Sequence, residues 1–452
     1  MAAVAAPGLH SPAKSPKNPG PRERREHTPM NSCSTPCGLD FGTSNTTLGT
    51  LAQGAPALCP LEGRHVTVPS AVFFGADGLT RIGRAAIDAY VEGVEGRLMR
   101  GLKSVLGSAL IDETTLVGRE RAPFRKVITA FLAEVKRRAE ATAGRPLDAV
   151  VHGRPVHFVD ADPEGDRKAE DTLRQIATEV GFSHIAFQYE PIAAALDYEQ
   201  QIGHEELALI ADIGGGTSDF SIVRISPERR RQVERADDIL ANDGVRIGGT
   251  DFDRVLSLKT LMPLLGFGSP MKRANLDVPS SYFHDLASWH SINRIYEPKI
   301  AREIREVKRE AQEPERLERL EQVIEERRGH ALAGAVEAAK IGLAETPHVE
   351  IPLDWMEAGR ALGVSQAELT GTTAELAHRI AARIDSLLKT AGLGRERIDA
   401  LFLTGGSTRL AHVRAAITAA LPGARVVEGD TFGSVGIGLT IEAGRRFGAG
   451  QN

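Results

Sequence analysis

Two short stretches hold residues whose types and spacing could grip a polyanion. In "DFGTSN", Asp40, Gly42, Thr43, Ser44 and Asn45 fall where an apolar strand should finish. In "DIGGGTSD", Asp212, Gly214, Gly215, Gly216, Thr217 and Asp219 fall at the end of another. Gripping a triphosphate needs backbone N–H groups brought close, so side chains must be absent, as they are from Gly214 to Gly216. It also needs hydroxyls for single oxygens, which Thr43, Ser44 and Thr217 can supply. Mg2+ dehydrates reluctantly and is best held by carboxylates acting largely through water. Asp40 and Asp212, each just before its turn, suit that role. Three successive glycines weaken a strand unless something must approach its backbone. The first stretch is less specific, because its polar residues could equally satisfy an ordinary β-turn. A third stretch, "LTGGSTR", delivers Gly405, Gly406 and Ser407 to what reads as a helix N-terminus, a ready anion site. The chain has no GxxxxGK[ST] loop and no zinc-ligand spacing, and Cys33 with Cys37 is a lone CxxxC pair.

The elements that must position these residues are legible as patterns. "GLDFGTSNTTLGTL" and "IADIGGGTSDFSIVRI" share one layout: an apolar strand ending in Asp, a Gly/Thr-rich turn, and a second strand. This weak self-similarity suggests two related lobes facing each other. Val127, Phe131, Val135 and Ala139 recur at helical spacing, as do Leu173, Ile176, Ala177 and Val180. "LDAVVHGRPVHF" reads as a buried strand, and "HIAFQYEPIAAALDYE" as a strand entering a helix with Pro191 in its first turn. Between 297 and 328 runs a charged stretch with Ile300, Ile304, Val307 and Ala311 in a narrow stripe, resumed by Leu317, Leu320 and Ile324 beyond Pro314. It reads either as a partner-binding arm or as a solvated helix pair packed along an edge of its own domain.

Composition bounds the function classes. At 452 residues the chain can bury a large core. A formal charge of −5 gives no basic surface for nucleic acid, and three cysteines suit a reducing compartment rather than a disulfide framework. No apolar run is long enough to span a membrane. A cytoplasmic protein is expected. Residues 1–35 are rich in Pro, Ser, Gly and charge, and read as a disordered tail or a mis-assigned start, with Met30 as the alternative beginning.

Five segments in order, "GLDFGTSNTTLG", "YEPIAAALDYE", "DIGGGTSDFSI", "RIGGTDFDR" and "LTGGSTRLAHV", resemble the signature segments of the ATPase domain of heat-shock protein 70 (DnaK) chaperones. The likeness runs from residue 37 to about 445. "FQYEPIAAALDYE", "LMPLLGFG" and "GDTFGSVGIGL" resemble the YegD-type branch, which has the nucleotide domain alone. The resemblance implies an α/β, actin-like ATPase fold: two ribonuclease H-like lobes around a nucleotide cleft. It implies ATP/ADP and Mg2+ as cofactors and slow hydrolysis of the γ-phosphate. Residue by residue, Asp40, Gly42, Thr43, Ser44 and Asn45 match the first phosphate loop, and Asp212 with Gly214, Gly215, Gly216 and Thr217 match the second, Asp219 trailing it. Lys103 matches the catalytic lysine and Glu190 the glutamate that organises water and the metal shell. The plain alternatives are a surface lysine at Lys103 and a helix-start residue at Glu190. Gly248 and Gly249 match glycines near the sugar. Glu337 and Lys340 match the helix beside adenosine. Gly405, Gly406, Ser407 and Arg409 match the adenosine loop, Asp430 the loop after it, and Pro155 the interlobe switch proline.

There are departures from the family pattern. Ala344 replaces the serine near adenine, leaving base recognition open, and Thr250 replaces the acidic residue of "GGED". The expected divisions are lobe I at 36–206 with an outer subdomain near 63–122, lobe II at 207–429 with an elaborated outer subdomain near 251–370, and a helix within 430–452 returning to lobe I. Only the stretch from Leu439 to Asn452 follows Gly438, so a peptide-binding β-sandwich is not expected here. Any client or co-chaperone partner is left unidentified. The other readings are a small-molecule kinase of the same superfamily and an actin-like filament protein.

Overall fold

The computed structural model describes residues 35–117, 120–159, 162–427 and 433–448. The expected tail up to residue 34, Cys33 and Asp430 lie outside the described residues. In chain order the first half holds β1 (Pro36–Phe41), β2 (Asn45–Ala52), β3 (Ala55–Leu58), β4 (Thr67–Pro69), β5 (Ala71–Gly75), β6 (Thr80–Ile82), α1 (Arg84–Val91), β7 (Gly96–Arg100), β8 (Thr114–Val117), β9 (Glu120–Pro123), α2 (Phe124–Ala143), β10 (Ala149–Arg154), α3 (Pro163–Val180), β11 (His184–Tyr189) and α4 (Glu190–Glu199). The second half holds β12 (Glu206–Ile213), β13 (Ser218–Ile225), β14 (Ile239–Val245), α5 (Gly249–Thr260), α6 (Ser281–Leu286), α7 (Ile292–Ile295), α8 (Pro298–Glu310), α9 (Pro314–Glu325), α10 (Gly329–Gly342), β15 (His348–Pro352), β16 (Ala361–Ser365), α11 (Gln366–Ala391), β17 (Ala400–Thr404), α12 (Ala411–Ala420), β18 (Arg425–Val427) and α13 (Ser434–Phe447).

Two mixed sheets repeat one topology. The first runs β3-β2-β1-β10-β11, and the second runs β14-β13-β12-β17-β18. In each, three strands form an antiparallel meander and two more join in parallel. This is the two-lobed α/β arrangement expected of the actin-like ATPase fold, and the shared hairpin layout in the sequence is its visible trace.

Alternation along the strands decides which residues face the space between the sheets. On β1, Cys37, Leu39 and Phe41 enter a core with Val127, Phe131 and Val135 of α2 and Leu173 and Ile176 of α3. On β12, Leu209, Ala211 and Ile213 enter the second lobe's core. The opposite face of β12, with Ala208 and Ile210, joins Val151, Ile192, Ala193 and Leu439 in a shared cluster between the lobes. The helices α4 and α13 form its middle. They approach closely enough that a Cβ at Gly438 would stand 1.8 Å from the Ala193 carbonyl oxygen. Asp40 and Asp212 emerge at the carboxyl ends of β1 and β12, where ligands of open α/β sheets are bound.

Pro314 ends one charged helix and starts the next, α8 and α9. Ile304, Ala311, Leu317, Leu320, Val323 and Ile324 are buried in the second core, with Ile300 and Val307 partly buried against it. The stripe is therefore the inner face of a packed helix pair, not an arm. One expectation needs correction. Gly405 and Gly406 do not open a helix directly. A 3-10 turn, Gly406–Arg409, intervenes and α12 begins at Ala411, so the glycines line a turn rather than a helix N-terminus. No helix among the described residues is long and apolar enough to cross a membrane.

Candidate functional site

The first turn is closed by Gly42 N–H donating to Asn45 O at 3.0 Å, and the second by Gly214 N–H donating to Thr217 O at 2.9 Å. The two turns meet. A Cβ placed on Gly215 would lie 2.3 Å from Ser44 Oγ and 3.3 Å from Ser44 Cβ, so a side chain there would push against the opposing serine. Behind the second turn, a Cβ on Gly248 would lie 2.6 Å from Gly215 C. Residues 42–45 and 214–217, far apart in sequence, thus form two facing jaws.

Beneath the jaws lies a charge cluster. Lys103 Nζ donates to Glu190 Oε1 at 2.5 Å, and the two side chains are only 11% and 17% exposed. Lys103 follows Gly101 in a short 3-10 turn just after β7, and Glu190 opens α4 with Pro191 behind it. Lys103 is not the surface lysine that the sequence allowed, while Glu190 is indeed the first residue of its helix. Burial opposes the Lys103 charge, yet Glu190, Asp40 and Asp212 together hold its pKa above the ordinary value. Burial, then Glu190, raises the Asp40 carboxyl to about 7 against the pull of Lys103. Burial raises Asp212 to about 7 as well, helped by Asp219, Glu190 and Asp40. Asp219 faces Asp212 across the β12–β13 pair and accepts from Thr217 Oγ1 at 2.8 Å. Asp40, Glu190 and Asp212 thus share the Lys103 ammonium, with Asp219 beside Asp212. Among the described residues no group of three or more His, Cys, Asp or Glu is placed to hold a metal ion directly. An oxygen-only donor set with excess negative charge does fit a hard divalent cation held through water.

Further along the cleft, Lys340 is buried and pairs with Asp253 at 2.8 Å while donating to Gly249 O at 3.1 Å. Glu337, one turn earlier on α10, is partly buried and acts with burial to raise Asp253 to about 6, against Lys340. Ser407 Oγ donates to Gly214 O at 3.2 Å, which ties the Gly405–Gly406 turn to the second jaw. Arg409 is exposed and pairs with Glu345 at 2.5 Å, close to the half-buried Ala344. Thr43 and Asn45 are exposed at the first jaw. The structure therefore gathers Asp40, Ser44, Lys103, Glu190, Asp212 and Thr217 at one end and Gly249, Lys340 and Ser407 beside the second turn.

Sequence reasoning missed two residues here. Asp253 carried no signal as the partner of Lys340, which lies 87 positions away on α10. Ser70 holds the back of the first turn and carried no signal, because its role depends on a loop closing over it from 28 positions away.

Known proteins resemble this chain over most of its length. The Hsp70 protein family matches residues 113–261 and 307–444. The chaperone protein DnaK of Elusimicrobium minutum is 27% identical over 421 residues, covering 90% of this chain and 57% of that protein. The chaperone protein HscA homolog of Aromatoleum aromaticum is 25% identical over 423 residues, with the same coverage. The chaperone protein DnaK of Thermoplasma volcanium is 26% identical over 418 residues. The chain spans 57% of the length of each of these relatives. The match covers more than half of the chain, which belongs to the Hsp70 family.

Proposed function

We propose that this chain binds Mg-ATP between the two turns, hydrolyses it slowly, and uses the change of nucleotide as a chaperone-type switch in the cytoplasm. The observation that carries this reading is the meeting of the two turns over the Lys103–Glu190 pair. The N–H groups of Thr43, Gly215 and Gly216 and the hydroxyls of Thr43, Ser44 and Thr217 bind phosphate oxygens from two sides. Lys103 Nζ faces the terminal phosphate and offsets its growing charge. Glu190 Oε1, held at 2.5 Å by that ammonium, accepts a hydrogen bond from water and orients it for in-line attack. Asp40 and Asp212 hold the hydrated cation. When bound, Mg2+ supplies the positive charge that screens the phosphates from these carboxylates. Gly248, Gly249, Glu337, Lys340 and the Gly405–Arg409 turn take the nucleoside. The lobe divisions at 36–206 and 207–429 belong to this proposal, as does an unidentified client or co-chaperone.

Calorimetry with Mg-ATP and a phosphate-release assay test the reading, repeated with candidate sugars and on Glu190→Ala. We expect binding by the parent, slow release of phosphate, and Glu190→Ala binding without turnover. Stoichiometric phosphorylation of a sugar would replace the switch with a small-molecule kinase.

A further inference from the structure

Each turn is braced from behind, and the braces share one logic. At the first turn, Ser70 donates its N–H to Ser44 O at 2.8 Å and its hydroxyl to Gly42 O at 2.7 Å. Ser70 is 1% exposed, and its hydroxyl also meets Thr46 Oγ1 at 3.0 Å. At the second turn, Gly249 N–H reaches Gly214 O at 3.0 Å. Thr250 reaches Gly215 O twice, through its N–H at 2.8 Å and its hydroxyl at 2.9 Å. The first-turn N–H groups of a helix have no partners within the helix. Those of α5 at Gly249 and Thr250 go to the glycine turn instead of being left open.

The consequence follows from peptide geometry. In a trans peptide the C=O of one residue and the N–H of the next point in opposite directions. Locking the carbonyls of Gly214 and Gly215 against α5 turns the N–H groups of Gly215 and Gly216 away from α5. Locking Gly42 O against Ser70 turns the Thr43 N–H away from Ser70 in the same way. None of these three N–H groups meets an acceptor among the described residues. Without a brace, a run of three glycines would populate many peptide orientations, and most would aim a carbonyl, not a donor, at an arriving phosphate.

We propose that Ser70 and Thr250 are positioning residues that commit the N–H groups of the two turns to the phosphates. The proposal rests on the nucleotide reading above and adds to it the two residues that set the polarity of the clamp. Thr250 stands on the exposed start of α5, where a side chain has no packing duty. Its hydroxyl has one partner, the glycine carbonyl.

The test is Mg-ATP affinity, with adenosine as a ligand that lacks phosphates, on Thr250→Val, Thr250→Ser and Ser70→Ala. Thr250→Val keeps the shape and the backbone N–H but removes the hydroxyl. It should weaken Mg-ATP binding about threefold to tenfold, the worth of one hydrogen bond. Adenosine affinity and the melting temperature of the nucleotide-free protein should stay put, and Thr250→Ser should restore the parent value. Ser70→Ala should likewise weaken Mg-ATP binding and not adenosine binding, with some loss of melting temperature because its hydroxyl is buried. Thr250→Val binding Mg-ATP as tightly as the parent would overturn the proposal, and so would an equal loss for ATP and adenosine, or a loss that Thr250→Ser fails to restore. A parent that binds no Mg-ATP would instead remove the nucleotide reading, and the proposal with it.

Discussion

The inner end of the cleft and its outer mouth join the same two lobes by opposite means. At the inner end, Asp40, Glu190 and Asp212 crowd around Lys103, and burial with mutual repulsion lifts Asp40 and Asp212 to about 7. At the mouth, the contact is largely aromatic and holds no carboxylate cluster among the described residues. Tyr90 of α1 accepts a hydrogen bond from Asn293 Nδ2 at 3.0 Å and lies 3.2 Å from His330 Nε2. Its ring stands edge-on to His330 at 4.4 Å, Trp289 stands 5.0 Å from His330, and the Arg100 guanidinium covers Trp289 at 4.7 Å. The mouth thus holds no carboxylate cluster, whereas at the inner end Asp40, Glu190 and Asp212 outnumber the one ammonium of Lys103. A ligand carrying positive charge should therefore tighten the inner end and leave the mouth much as it is. The two ends should also answer acid in opposite directions.

The strongest way to break this comparison is to spoil the inner jaws sterically. Gly215→Val puts atoms where Ser44 Oγ already stands, 2.3 Å from the new Cβ. We expect Mg-ATP affinity to fall by about a hundredfold, the upper range for overpacking a tight contact. Ser44→Ala in the same chain should recover part of that, since the remaining Ser44 Cβ is 3.3 Å away. Calorimetry on the three variants decides the matter; unchanged affinity in Gly215→Val would mean that the jaws do not enclose the ligand.

Next in size is the Lys103–Glu190 pair. Lys103→Ala should lower turnover by about tenfold or more, the scale of a lost charge-assisted contact. Its affinity for ATP should change less than its turnover. Single-turnover kinetics separates the two, and a large loss of affinity at constant turnover would make Lys103 a binding residue only.

How much of this was legible in the sequence differs between the two ends. The inner end was written locally. "DFGTSN" and "DIGGGTSD" each hold a strand end, a turn and a return strand, and the pattern at Glu190–Pro191 marks the start of α4 without reference to anything distant. The mouth was not written locally. Tyr90 meets Asn293 and His330 across more than 200 positions, and nothing near any of them in sequence announces the others. The braces fail to show for the same reason, because Ser70 and Thr250 look like ordinary polar residues until the turns close on them. The Gly405–Gly406 turn shows a further limit. A buried strand followed by glycines and a helix pattern fixes the elements, but the single 3-10 turn between them moved the helix start past the glycines.

Magnesium and pH probe the charge at the inner end. Asp40 and Asp212 have folded-state values near 7 against an ordinary 3.8, so the folded protein holds more protons than the unfolded chain between those values. Stability from these groups is present in full below about pH 3.8 and is lost as pH rises through 7. A cation competes with those protons. Mg2+ should therefore raise the melting temperature of the nucleotide-free protein more at pH 8 than at pH 6. An equal effect at both would show that the ion acts elsewhere.

The smallest expected effect lies at the mouth and has the reverse sign. Burial, against the hydrogen bond to the Trp289 carbonyl and with help from nearby Arg100, lowers the His330 pKa from 6.5 to about 4. The unfolded chain then holds more protons than the folded one between these values. This contribution to stability is present above 6.5 and lost as pH falls toward 4. Tyr90 shields the imidazole from the other lobe, so Tyr90→Ala should let water reach the ring. An NMR titration of His330 should find the parent ring neutral well below pH 6 and the variant ring titrating closer to the ordinary value. Its sensitivity to Mg2+ should be slight in both, because the metal acts at the inner end. Should the parent His330 titrate near 6.5, the mouth would be open to solvent, and the contrast between a closed aromatic mouth and an inner end rich in carboxylates would not hold.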